Sequence, residues 1–230
     1  MTNQDLIEGI VAEWIQQLAF EPYAHFSETD LHLDLAMQLK KGLKDKPVNT
    51  NISRGKRRGE SSSSFYRMSR VHLEYRAGKG QRSDISIFSS ASIKKIDLPD
   101  FMDDKNEPIK ADYVFELGTE KFGVQKLPAH TKRDINKASS AKICGYVFLI
   151  FRNVTSQNKI KKQKVIDKLA LQLKNICKNK NRKGIKFLAV LLSPCVARNK
   201  LKFFDGKKFQ DCVNINNLAK IRQAVCQFLQ

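Results

Sequence analysis

The stretch "VHLEYRAGKGQRSDISIF", residues 71–88, decides how the rest of the chain is read. It reads as two strands, "RVHLEYRAG" and "RSDISIF", joined through a turn at Gly78–Gly80. Ile85 and Ile87 alternate with Asp84 and Ser86, the pattern of a strand with one apolar face. Two acidic residues interrupt this pattern. Glu74 lies within the first strand and Asp84 at the mouth of the second, where a charge is unfavourable unless it has a partner or a purpose. Taken singly, Glu74 reads as a partner of Arg76 or Arg82, and Asp84 as an ordinary strand-end residue.

Working outward, an acidic, proline-containing insertion (89–110) leads to a third strand, "ADYVFEL" (111–117), which ends on Glu116. "HTKRDINKASSAK" (130–142) reads as a polar helix, and "GYVFLIF" (145–151) as a central strand covered on both faces. Upstream, "DLIEGIVAEWIQQLAF" (5–20) spaces its apolar residues as a helix that Pro22 ends. "SETDLHLDLAMQLKKGL" (27–43) begins with Ser27 as N-cap and Asp30 at the capping-box position. Downstream come a lysine-rich helix over 159–183, a buried strand "IKFLAVLLS", a hairpin turning at Asp205–Gly206 and a last amphipathic helix.

This order predicts a single α/β domain with a central mixed β-sheet flanked by helices. Its parts are a helical N-terminal part (1–44), a flexible basic loop (45–64), a core motif region (65–151) and a closing region (152–230) of basic helix, strand, hairpin and helix. With 230 residues, 41% of them hydrophobic, the chain can bury one substantial core. No apolar run approaches the ~20 residues that cross a bilayer, and the first residues are polar and acidic, unlike a signal peptide. Five scattered cysteines without metal-ligand spacing read as reduced core residues, so the expected location is the cytoplasm. The four histidines share no metal spacing and read as ordinary.

Charge narrows the partner. The net charge is +19, concentrated in two blocks: residues 51–100 hold 11 Lys/Arg against 5 Asp/Glu, and residues 151–200 hold 14 against 1. A polyanion is the expected partner, nucleic acid before a membrane, because the basic helix uses its apolar face as core. Arg54, Lys56, Arg57 and Arg58 in the loop, and Lys161, Lys164 and Lys168 on the helix, are the expected contacts. Such contacts bind phosphate with strong salt dependence and little sequence preference.

Two carboxylates at adjacent strand ends make a site for a hard divalent cation, which takes oxygen ligands and can polarise a phosphodiester. A helix with an early acidic residue (Glu28), a strand, a strand with "RSD", a strand ending "FEL", a helix with "RDINK" and an apolar strand together resemble the PD-(D/E)xK nuclease superfamily. The similarity covers residues 26–151 and rests on short motifs. It implies a restriction-endonuclease-like fold and cleavage of DNA, rather than RNA, with Mg²⁺ or Mn²⁺. It further implies that Asp84 and Glu116 are the metal ligands and Glu28 an auxiliary acidic residue. A homodimer or a protein partner fits the same resemblance.

One position departs from the family pattern. Two residues after the motif glutamate the family carries a lysine that activates water, and here that residue is Gly118. Lys137 in the following helix is the first candidate to replace it, and Lys121 a second. A shifted alignment would instead take Asp112 as first ligand and "Val124-Gln125-Lys126" as the motif strand. The missing lysine also admits a catalytically inactive protein that binds nucleic acid or serves as an assembly subunit, or an interaction module whose surface charge is incidental.

Overall fold

The computed structural model describes residues 2–21, 27–52, 64–78, 81–95, 109–119, 123–151, 159–178, 184–192 and 200–229. Two helices lead the chain, α1 (Asn3–Phe20) and α2 (Glu28–Gly42). Both begin with complete capping boxes, Thr2 with Asp5 and Ser27 with Asp30. In each box the hydroxyl accepts an orphan N–H of the first turn, and the acid three residues on accepts the cap's own N–H. Trp14 of α1 is fully buried and donates its Nε1–H to Asp34 of α2 at 2.9 Å, which ties the two helices together.

A two-stranded antiparallel ladder follows, β1 (Val48–Ile52) with β2 (Ser64–Met68). Within the loop expected over 45–64, Val48–Ile52 is a strand instead, and residues 53–63 lie outside the described residues. Arg54, Lys56, Arg57 and Arg58 lie outside the described residues. The main sheet has seven strands: β3 (Val71–Gly78), β4 (Gln81–Ile87), β5 (Tyr113–Thr119), β6 (Cys144–Phe151), β7 (Ile185–Leu192), β8 (Lys200–Phe204) and β9 (Phe209–Asn214), lying side by side in that order. β5, β6 and β7 run parallel, and every other adjacent pair is antiparallel. The sheet is therefore mixed, as expected.

Short α3 (Ser90–Lys94) lies in the segment read as an insertion. The remaining helices are α4 (Gly123–Ala138), α5 (Lys159–Lys178) and α6 (Leu218–Phe228). Strand alternation sorts the layers. Ile85, Ile87, Phe115, Leu117, Tyr146 and Phe148 pack with α1, α2 and α6 on one face. Val147, Leu149, Phe151, Phe187 and Ala189 pack with α4 and α5 on the other. The parallel strands need crossover connections, and α4 and α5 supply them on a single face. β6 is the middle strand and is buried along its whole length.

The basic helix meets its expectation where it is described. Ile166, Leu169 and Leu173 are buried and Ile176 packs against them, while Lys164 and Lys168 are exposed. Cys144 is buried, Cys177 half-buried and Cys226 exposed, so only the first of these three is a core cysteine. Among the described residues, no helix is long and apolar enough to cross a membrane.

Candidate functional site

Register brings the two central carboxylates close to one another. Ile87 lies opposite Tyr113, Ser86 opposite Val114 and Ile85 opposite Phe115. One step further Asp84 faces Glu116, and there the ladder opens. The Asp84 carboxylate, rather than a backbone carbonyl, accepts the Leu117 N–H at 2.7 Å. Because Phe115 and Leu117 enter the α1–α2 core, alternation turns Glu116 toward α4, where Lys137 meets it.

Glu116 is the most constrained of these groups. It is 0% exposed, its Oε2 accepts a hydrogen bond from Lys137 Nζ at 2.7 Å, and its Oε1 has no hydrogen-bond partner. Burial and the Asp84 charge push its pKa from an ordinary 4.5 up to about 9, against the pull of Lys137. Burial works against the Lys137 ammonium, but the charge and hydrogen bond of Glu116 outweigh it and hold the lysine above its ordinary range. Burial likewise raises Asp84, with His32, the Leu117 N–H and Lys137 opposing it.

A lysine from the neighbouring helix, Lys137, thus reaches the carboxylate two residues before Gly118. A Cβ placed on Gly118 would stand 2.7 Å from Leu149 Cδ2 and 4.0 Å from both His130 Nδ1 and Asp134 Oδ2. Position 118 therefore looks into the same space as α4, and its missing side chain leaves room for what α4 carries. A second glycine sets the height of that helix. A Cβ on Gly145 at the start of β6 would lie 2.2 Å from the Ala138 carbonyl oxygen, so only glycine lets the last turn of α4 rest on β6. Lys137 is in that turn.

α2 contributes the other half of the cluster. Beyond Ile85 the pairing of β4 with β5 ends, and there the first turns of α2 reach Asp84. His32 Nε2 lies 3.4 Å from Asp84 Oδ2 and 3.9 Å from Glu28 Oε1. One ligand atom from each of Glu28, His32 and Asp84 can be chosen so that all lie within 4.8 Å of one another. Burial raises the Glu28 pKa, and Asp84 and Asp134 add to the rise. On α4, His130 Nδ1 and Asp134 Oδ2 are 2.8 Å apart, and that hydrogen bond raises the His130 pKa.

Three buried side-chain polar atoms among the described residues lack a hydrogen-bond partner: His32 Nε2, Glu116 Oε1 and Thr119 Oγ1. The first two belong to this cluster, and Thr119 ends the strand that carries Glu116. Uncompensated buried polar atoms are costly, and here they sit among carboxylates that raise one another's pKa. That donor set fits a divalent cation.

The structure thus gathers Glu28, Asp84, Glu116 and Lys137, all singled out in the sequence, and adds His32, His130 and Asp134, which were not. The spacing of Glu28 and His32, four apart on a helix, was the one available signal for His32. Glu74 does not join the cluster. It is exposed, with a left-handed φ of 51°, between Leu73 and Tyr75, which pair with Ile85 and Ser83. The shifted alignment is corrected: Val124–Lys126 is helical, in α4, and Asp112 accepts the Ser89 N–H. Lys121 and the Lys161 side chain lie outside the described residues. No protein-family model, curated protein or solved structure matches the chain at a significant level.

Proposed function

We propose that the chain is a divalent-metal-dependent DNA endonuclease of the PD-(D/E)xK type, with a restriction-endonuclease-like core formed by α2, β3, β4, β5, α4 and β6. The observation that carries this reading is the 2.7 Å hydrogen bond from Lys137 to Glu116, which supplies from a helix the lysine that its strand lacks. The antiparallel β3–β4–β5 run followed by parallel β6 supports the same reading.

In this reading Asp84 and Glu116 hold the cation, with Glu28 beside them. When bound, a divalent cation polarises the phosphodiester and lowers the pKa of its water. Lys137 positions the attacking water and offsets negative charge as it develops on the phosphate. The Leu117 N–H fixes the Asp84 carboxylate, and the Gly145–Ala138 contact fixes the end of α4. The lysine-rich face of α5 holds the DNA backbone, and the compartment we assign is the cytoplasm.

The test is cleavage of plasmid DNA with Mg²⁺ or Mn²⁺ by wild type, Asp84→Ala, Glu116→Ala and Lys137→Ala. Each variant is expected to lose at least about a hundredfold in rate while retaining DNA binding. Cleavage that survives both carboxylate substitutions overturns the reading. Gly118 favours one competitor, a nuclease-like protein that binds DNA without cutting it. Wild-type binding with no cleavage under either metal would select that competitor.

A further inference from the structure

His32 makes the donor set at Asp84 chemically unlike a purely carboxylate site. The residue is 7% exposed, and its Nε2 forms no hydrogen bond although it faces carboxylates at 3.4 and 3.9 Å. Ligands on one octahedral ion at about 2.1 Å stand about 3.0 Å apart when adjacent and about 4.2 Å apart when opposite. The two His32 distances fall inside that interval. A single ion between these residues would therefore give the buried nitrogen a partner and neutralise the carboxylates together.

The ligand type decides which ion. Mg²⁺ is a hard cation that selects oxygen and sheds water reluctantly, whereas first-row transition cations accept imidazole readily. We infer that His32, with Glu28 and Asp84, forms a mixed nitrogen–oxygen metal site that takes a first-row transition cation such as Mn²⁺ in preference to Mg²⁺. This refines the metal site of the nuclease reading and is tested on binding, so the two can fail separately.

The experiment uses the full chain without DNA. Mn²⁺ and Mg²⁺ affinities are measured by calorimetry, and the Mn²⁺-loaded protein is examined by pulsed electron paramagnetic resonance for coupling to ¹⁴N. Wild type is expected to bind Mn²⁺ at least tenfold more tightly than Mg²⁺ and to show a directly bonded imidazole nitrogen. His32→Gln is expected to lose the nitrogen coupling and most of the Mn²⁺ preference, while keeping its circular dichroism spectrum. Glu28→Gln, which leaves the imidazole in place, is expected to weaken binding yet keep the coupling. Equal affinities in wild type, or a nitrogen signal that persists in His32→Gln, would overturn the inference. A His32-dependent signal in a protein that cuts no DNA would sustain the inference and sink the nuclease reading. Cleavage with no nitrogen signal would do the reverse.

Discussion

Glu116 holds a proton that the unfolded chain gives up. Its native pKa is pushed to about 9 from 4.5, so between those values the native state binds more protons than the unfolded state. The stability that this proton contributes is full below the lower value and is lost as the pH rises through the upper one. Glu116→Gln keeps the shape and removes the titration. In metal-free protein at pH 8 it is expected to raise stability by at least about 1 kcal/mol, or about 3 °C in melting temperature, and to flatten the decline between pH 5 and 9 (melts across that range read both). A residue whose removal stabilises the fold while abolishing cleavage would be there for chemistry. Gly118 is a packing counterpart: a methyl at 118 meets Leu149, which is fully buried, so Gly118→Ala is expected to cost about 1–3 kcal/mol in denaturant unfolding. Glu74 completes the residue scale. Its left-handed backbone suits glycine, and Glu74→Gly is expected to gain about 1 kcal/mol without changing cleavage.

At the scale of elements, α4 carries the lysine and β6 carries the helix. Gly145→Ala puts a methyl against the backbone of Ala138, which has no flexible end to swing away. The expected result is a loss of about 3 kcal/mol or more, with a parallel loss of cleavage because Lys137 moves off Glu116. Should cleavage survive in a folded Gly145→Ala protein, the link between helix height and Lys137 would be refuted. The helices α1, α2, α5 and α6 and the five strands β3 to β7 were legible because their apolar residues recur at 3.6 or 2, or run unbroken, whereas α3 lay in the segment read as an insertion. The capping box of α2 was legible from Ser27 and Asp30 alone. The strand β1 was not, because "VNTNI" is half polar and pairs at the side of the main core, where little apolar surface marks it. The first turns of α4 were hidden by Pro128, a residue that usually marks a helix boundary and here lies inside one. Asp84, Glu116 and Lys137 were legible as charges in the order that the resemblance implied. His32 was not, since its meeting with Asp84 depends on where α2 crosses the opened ladder, and local spacing holds no trace of that crossing.

At the scale of the molecule the charge has a direction. α5 carries seven lysines against one aspartate, and it covers the sheet on the same face as α4, next to the helix that bears Lys137. Its first turn holds basic residues and no acidic one, the arrangement that the helix dipole disfavours. Helix stability therefore does not account for those lysines, and on the proposed reading a polyanion does. Each lysine that neutralises a phosphate adds about 0.9 to the slope of log affinity against log salt. Lys164 and Lys168 are exposed on this helix, so Lys164→Gln combined with Lys168→Gln is expected to lower that slope by about 2. Fluorescence anisotropy with a labelled duplex between 50 and 200 mM salt reads it directly. Asp84→Ala, which removes negative charge from the site, is expected to leave the slope unchanged and the affinity equal or higher. An unchanged slope in the double variant would move the DNA off α5, and with it the argument that the basic helix and the carboxylate cluster serve one ligand. A reduced slope together with intact metal binding would separate holding the backbone from cutting it, and would assign the first to α5 and the second to the opening between β4 and β5.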